Sequence, residues 1–271
     1  SLVDVSFDFF DPNPKIDYHA IKRLLTQLFH HDAELFHIHE LTELILGQPT
    51  VGTTIKTDGI ESDPYALLTV LNMHVWKDHP SIRAIGEYVL QKAQTSEEKE
   101  LSEHLKQLFS QTEHHVGLVI CERLINMPVQ VVPPMYKMLR DEIGWANDDG
   151  EPYTFSHLLF ISKAYHLTEE EESAFMSNAP VKPSAAKKAK KAAASVPAGS
   201  RPADGLYLFH PEDDCIKQFA THTVNYAYTK GPSTPRDSES FGLDTRGRMT
   251  LVPRENLDAL ISKMEETYNP A

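Results

Sequence analysis

Apolar and polar residues alternate at the start of the chain. In VDVSFDFF, residues 3–10, Val3, Val5, Phe7 and Phe9 fall on one face, with Asp4, Ser6 and Asp8 on the other. That is the period of a half-buried strand of the main sheet. After the turn DPNP the period becomes helical. Ile21, Leu24, Leu25 and Leu28 form one apolar face, for which Asp17 is the expected cap, and Ile38, Leu41, Leu44 and Ile45 form a second. TVGTTIKT and YALLTVLNMHV then read as consecutive strands of a β-hairpin, joined by the polar turn DGIESDP.

Two helices follow, SIRAIGEYVLQKAQ and TSEEKELSEHLKQLFSQ. The second has Thr95 and Glu98 at capping-box spacing and Leu101, Leu105 and Leu108 on one face. Residues 116–121 read as a strand, a helix begins near Pro134, and YTFSHLLFISKAY is again strand-like. Further on, GLYLFHPEDDCIKQFA and THTVNYAY suggest two more strands. Pro253 suits the first position of a closing helix carrying Leu257, Leu260, Ile261 and Met264. The expected architecture is α/β, a mixed sheet covered by helices.

One stretch breaks the pattern. Residues 179–205, APVKPSAAKKAKKAAASVPAGSRPADG, hold no aromatic or large aliphatic anchor and cannot bury enough area to offset their ordering entropy. They read as a mobile insertion in a single domain of residues 1–271.

Composition adds two constraints. No run of about 18 apolar residues and no signal-like start occurs, so a soluble intracellular protein is expected, with no membrane contact. Cys121 and Cys215 form no CxxC pair and read as reduced, structural thiols. Charge is more telling: 26 Lys and Arg oppose 39 Asp and Glu, a net charge of −13. Lys182, Lys187, Lys188, Lys190, Lys191 and Arg201 all lie in the insertion, so the rest of the chain is more acidic still. Such a body repels nucleic acid and attracts basic partners.

The strand-to-helix connection at residues 122–134 tests for a phosphate-binding enzyme. A phosphate cradle needs converging backbone N–H groups and glycines that admit the phosphate. The connection has no glycine, while Pro128, Pro133 and Pro134 lack an N–H and Val129, Val131 and Val132 crowd the backbone.

The strings VDVSFDFFDPNP, TVGTTIKTD, LNMHVWKDHPSIRAIGEYVL, VGLVICERLINMPVQVVPPMYKML and GLYLFHPEDDCIKQFA resemble the BCCIP family of eukaryotic nuclear proteins, its fungal members most of all. The resemblance covers nearly the whole chain except the lysine-rich insertion. It implies a fold like that of the GNAT acetyltransferases, whose Q/R-x-x-G-x-G/A cofactor loop is absent from residues 122–134. It further implies a non-catalytic protein without cofactor. The implied roles are to chaperone a basic large-subunit ribosomal protein of the universal L-fourteen class, to engage nuclear transport receptors, and to aid nuclear traffic of a phosphoinositide lipid kinase, in nucleus and cytoplasm. The alternatives are a GNAT-type acetyltransferase with an unusual cofactor loop and a general nuclear adaptor.

Other chemistry is weaker. His30, His31, His37 and His39 straddle a helix boundary and no cysteine joins them, so solvated or capping roles outweigh a metal site. His114 and His115, just before a strand, share this weakness, since neighbouring strand residues point to opposite faces. Three acidic clusters are candidate client contacts. Glu169, Glu170, Glu171 and Glu172 follow Thr168 as a helix N-terminus with a capping box. Asp148, Asp149 and Glu151 flank Gly150 in a turn, and Glu212, Asp213 and Asp214 follow Pro211 in another. Lys187, Lys188, Lys190 and Lys191 are a candidate nuclear-import signal.

Overall fold

The computed structural model describes residues 6–169, 171–172, 202, 205–231 and 243–269. Eight strands form one mixed sheet: β1 Asp8–Phe10, β2 Thr53–Lys56, β3 Ala66–Asn72, β4 His115–Arg123, β5 Phe155–His166, β6 Leu206–Leu208, β7 His222–Tyr226 and β8 Asp244–Pro253. Their order is β1-β2-β3-β4-β5-β8-β7, with β6 paired to β5 beside this path. Among the described residues only β4 and β5 run parallel, and every other pairing is antiparallel. This is the GNAT-like architecture that the sequence strings imply.

Helices cover both faces, which explains why the central strands are apolar throughout rather than alternating. On one face α1 Tyr18–Phe29, α2 Ile38–Leu46, α3 Pro80–Thr95 and α4 Lys99–Ser110 pack over Leu67, Leu71, Leu118, Ile120, Leu159 and Ile161. On the other, α5 Val132–Asp148, the short α6 Glu212–Gln218 and α7 Leu257–Tyr268 cover Leu68, Val70, Val119, Leu158, Phe160 and Val252. The hairpin of β2 and β3 is present, with Thr53 opposite Leu68. Gly117 sits where β3, β4 and β5 meet, and a Cβ there would lie 2.7 Å from Val70 Cγ2 and 3.0 Å from Leu158 Cδ2.

Several local expectations are corrected. Asp17 stands before α1 but does not cap it. Its buried carboxylate instead accepts the Asn13 N–H at 2.8 Å and the Lys56 ammonium at 2.6 Å, tying the first turn to β2. Thr95 ends α3 rather than starting α4, and its hydroxyl donates to the Gln91 and Lys92 carbonyls. Pro253 closes β8, and a 3₁₀ turn at Arg254–Asn256 separates it from α7. In GLYLFHPEDDCIKQFA only Leu206–Leu208 is strand, because 212–218 turns into α6. β8 itself, the longest neighbour of β5, is a strand the sequence pattern did not announce. The insertion at 179–205, apart from Pro202 and Gly205, lies outside the described residues, as does residues 1–5 of the first strand reading.

Candidate functional site

In open α/β sheets ligands bind beyond the carboxyl ends of the strands, where neighbouring chains diverge. Here that place is the end of the parallel pair. β4 and β5 pair from His115–Phe155 to Val119–Phe160, with a register shift between His115 and Val116, and then part, although β4 runs on to Arg123 and β5 to His166. The freed edge of β5 is taken by β6, with Ala164 opposite Leu208 and His166 opposite Leu206. The chain that continues from β6 brings His210 and Glu212 into the opening.

Adjacent residues of a strand face opposite ways, so Glu122 and Arg123 serve the two sides of the sheet. Glu122 forms an ion pair with Lys163 Nζ at 2.6 Å and meets His210 Nε2 at 2.7 Å and Gln27 Nε2 at 2.9 Å. Lys163 also donates to the Gln27 carbonyl at 2.9 Å, which anchors α1 to the same point. On the other side Arg123 grips Glu212 through Nε at 3.2 Å and Nη2 at 2.8 Å, and donates from Nη1 to the Met127 carbonyl. All of these charged side chains are buried. Burial opposes ionisation of Glu122, but the charges and hydrogen bonds of Lys163 and His210 outweigh it and bring its pKa down to about 2. Asp213 follows the opposite logic: burial, then the neighbouring Glu212, raise its pKa to about 6.

The connection after β4 is equally occupied. A 3₁₀ turn at Val129–Val131 leads into α5, whose first turn carries prolines, and Val131 and Val132 are buried. The Gln130 carbonyl accepts from Asn269 Nδ2 at 3.2 Å, so the loop is docked on the end of α7. Chemically, the opening is a set of cations and carboxylates paired with one another. A pair of this kind is costly to break by removing one partner. It holds β4, β5, α1, α6 and the turn after β6 together.

The acidic candidates are distributed over three elements. Asp148 and Asp149 are exposed at the end of α5, Gly150 turns the chain at φ 80°, and Glu151 accepts the Thr50 hydroxyl. Glu171 and Thr168 form the expected reciprocal capping box, Glu169 is exposed, and Glu172 accepts from the Tyr207 hydroxyl at 2.8 Å. Glu170 lies outside the described residues, as do Lys187, Lys188, Lys190 and Lys191. Glu212 and Asp213 are a correction. They lie in the first turn of α6 rather than in a loop, only 2% and 7% exposed, and Glu212 is spent on Arg123. Only Asp214 of that cluster faces solvent.

The histidines go to separate duties. His30 stacks on Tyr228, and burial, with His31 next, lowers its pKa to about 4. The His37 carbonyl accepts from Ser81, and His39 pairs with Tyr18 and Glu43. His115 meets Asn72 at 2.9 Å and stacks on His74. Among the described residues no three His, Cys, Asp or Glu side chains are grouped to hold a metal, and no helix is long and apolar enough to cross a membrane. Both cysteines are free, and burial raises the pKa of Cys121. The network around Glu122 was missed in the sequence. Its one signal is the adjacent pair of opposite charges ending the apolar string VGLVICER.

A mixed GNAT-like sheet with its parallel pair closed by its own side chains defines the class to which relatives can be compared. The profile of the BCCIP family matches residues 2–216. Protein bcp1 of Aspergillus fumigatus is 40% identical over 279 residues, covering 99% of this chain and 89% of its own. Protein bcp1 of Schizosaccharomyces pombe is 37% identical over 271 residues, covering 99% and 91%. The crystal structure of BCP1 from Saccharomyces cerevisiae superposes with a TM-score of 0.65 at 27% identity, over 97% of this chain and 89% of that one. The chain belongs to the BCCIP family, which is not named for an enzyme.

Proposed function

We propose that this protein is a non-catalytic chaperone. It holds a basic large-subunit ribosomal protein of the universal L-fourteen class before assembly and accompanies it between cytoplasm and nucleus. The observation that carries the reading is a chain with 39 acidic against 26 basic residues whose sheet opening is filled by its own buried ion pairs. An unassembled ribosomal protein exposes lysines and arginines meant for RNA, and an acidic body neutralises them and speeds encounter. Membership of the BCCIP family supports the same reading. Nuclear transport receptors and a phosphoinositide lipid kinase are the further partners proposed.

Affinity capture from cell extract followed by mass spectrometry tests the function class. One dominant, stoichiometric basic ribosomal protein is expected. An array of partners without a basic ribosomal protein contradicts the reading. Calorimetric titration with acetyl-CoA is the complementary test: no saturable heat is expected, and clear saturation revives an acetyltransferase.

A further inference from the structure

A cavity of about 240 Å³ opens between the end of α2, the segment after β3 and the turn from α5 to β5. Its walls include Glu43, Gln48, Val75, Trp76, Glu151 and Tyr153. Its floor is already satisfied. Asn72 donates to the Pro152 carbonyl at 2.6 Å and accepts from the His74 and Val75 N–H groups, while Tyr153 donates to Gln48 at 2.7 Å and Gln48 donates to Thr69 at 2.8 Å. The site is therefore held in shape without a ligand.

Its rim is more exposed, although Glu43 pairs with His39 and Glu151 accepts the Thr50 hydroxyl. Val75 and Trp76 are 44% and 40% exposed, and they are two of the four large hydrophobic side chains exposed among the described residues. Beside them stand two carboxylates, Glu43 and Glu151, and the lining holds no lysine or arginine. Asp148 and Asp149 add exposed negative charge on the turn that carries Glu151. The cavity is smaller than the roughly 300–1,000 Å³ of typical small-molecule sites, so it suits one long side chain rather than a cofactor. An aromatic face next to carboxylates favours a guanidinium, which stacks on indole and forms paired hydrogen bonds with a carboxylate, over the compact ammonium of lysine.

We propose that this cavity receives an arginine side chain of the basic client, stacked on Trp76 and neutralised by Glu43 and Glu151. The proposal deepens the chaperone reading and rests on it for the identity of the client.

The test compares client affinity of the full chain with that of Trp76→Ala and of the double variant Glu43→Gln with Glu151→Gln. Glu103→Gln, on the surface of α4, is the control. Circular dichroism and thermal melting establish that each variant folds. The groove variants should weaken binding by about ten-fold or more, as central aromatic and paired charged contacts do, while the control stays within about two-fold, as expected for exposed charge. If the wild type binds and the groove variants bind equally well, the groove is overturned and the chaperone reading stands. If the wild type does not bind the client, the chaperone reading fails. The groove is then decided by NMR titration with an arginine-rich peptide and the same peptide carrying citrulline. Saturable shifts at the Trp76 indole and Glu151 with arginine alone support the site, and no shifts overturn it.

Discussion

Glu122 shows how much one buried carboxylate organises. Gln27, Lys163 and His210 reach it from α1, β5 and the turn after β6. Truncating Lys163 to Met removes the ammonium partner of this buried carboxylate, and a loss of about 3–5 kcal/mol is expected in denaturant unfolding. Asp213 gives a pH test of the same region. Its folded pKa lies near 6, above the unfolded value of 3.8, so the folded state binds more protons between those values. The stability it contributes is present below pH 3.8 and is lost as pH rises through 6. Asp213→Asn should therefore gain in melting temperature relative to wild type on going from pH 4 to pH 7. A difference that does not change with pH would remove this description of Asp213. None of this could be read from the string HPEDD, where turn chemistry accounts for every residue. What places Glu212 and Asp213 inside is the divergence of β4 and β5, which is a long-range event.

At the scale of elements, glycines separate packing from propensity. Gly117→Ala brings a methyl group to 2.7 Å from Val70 and 3.2 Å from Phe155, an overpacking expected to cost about 1–3 kcal/mol. Gly144 lies in α5 with nothing within 4 Å of an added Cβ. Gly144→Ala should stabilise by about 0.5–1 kcal/mol, the difference in helix propensity. Thermal melts of the two variants should move in opposite directions. Helices α1 and α2, the β2–β3 hairpin, β4 and β5 were legible in the sequence because their periods are uninterrupted and their faces meet apolar partners. β8 was hidden because Arg246, Gly247 and Arg248 break its apolar run: Arg248 is buried where it donates to Asn225, and Gly247 lies beneath the Tyr226 ring. Asp17 and Thr95 were read as caps because capping is a local rule, whereas Asp17 is claimed by Lys56, 39 residues away in sequence. The candidate cavity was half visible: the cluster at 148–151 was in the sequence, but its meeting with Trp76 and Glu43 is tertiary.

For the molecule as a whole the governing quantity is its charge of −13. Binding of a basic client should weaken with salt without vanishing, since attraction between exposed charges is screened over about 10 Å at 0.1 M while an apolar contact such as Trp76 is much less affected. Affinity that stays constant from low to high salt would remove the electrostatic part of the account. The lysines at 187, 188, 190 and 191 form a separate proposal, a nuclear-import signal. Replacing all four by alanine should leave melting temperature and client binding unchanged and reduce nuclear accumulation seen by fluorescence microscopy. Most direct of all is calorimetric titration of this chain with a purified large-subunit ribosomal protein of the universal L-fourteen class, followed by light scattering of the mixture. The account predicts saturable one-to-one binding and a client kept soluble at salt where it otherwise aggregates. Absence of binding at low salt, with aggregation unchanged, would contradict it.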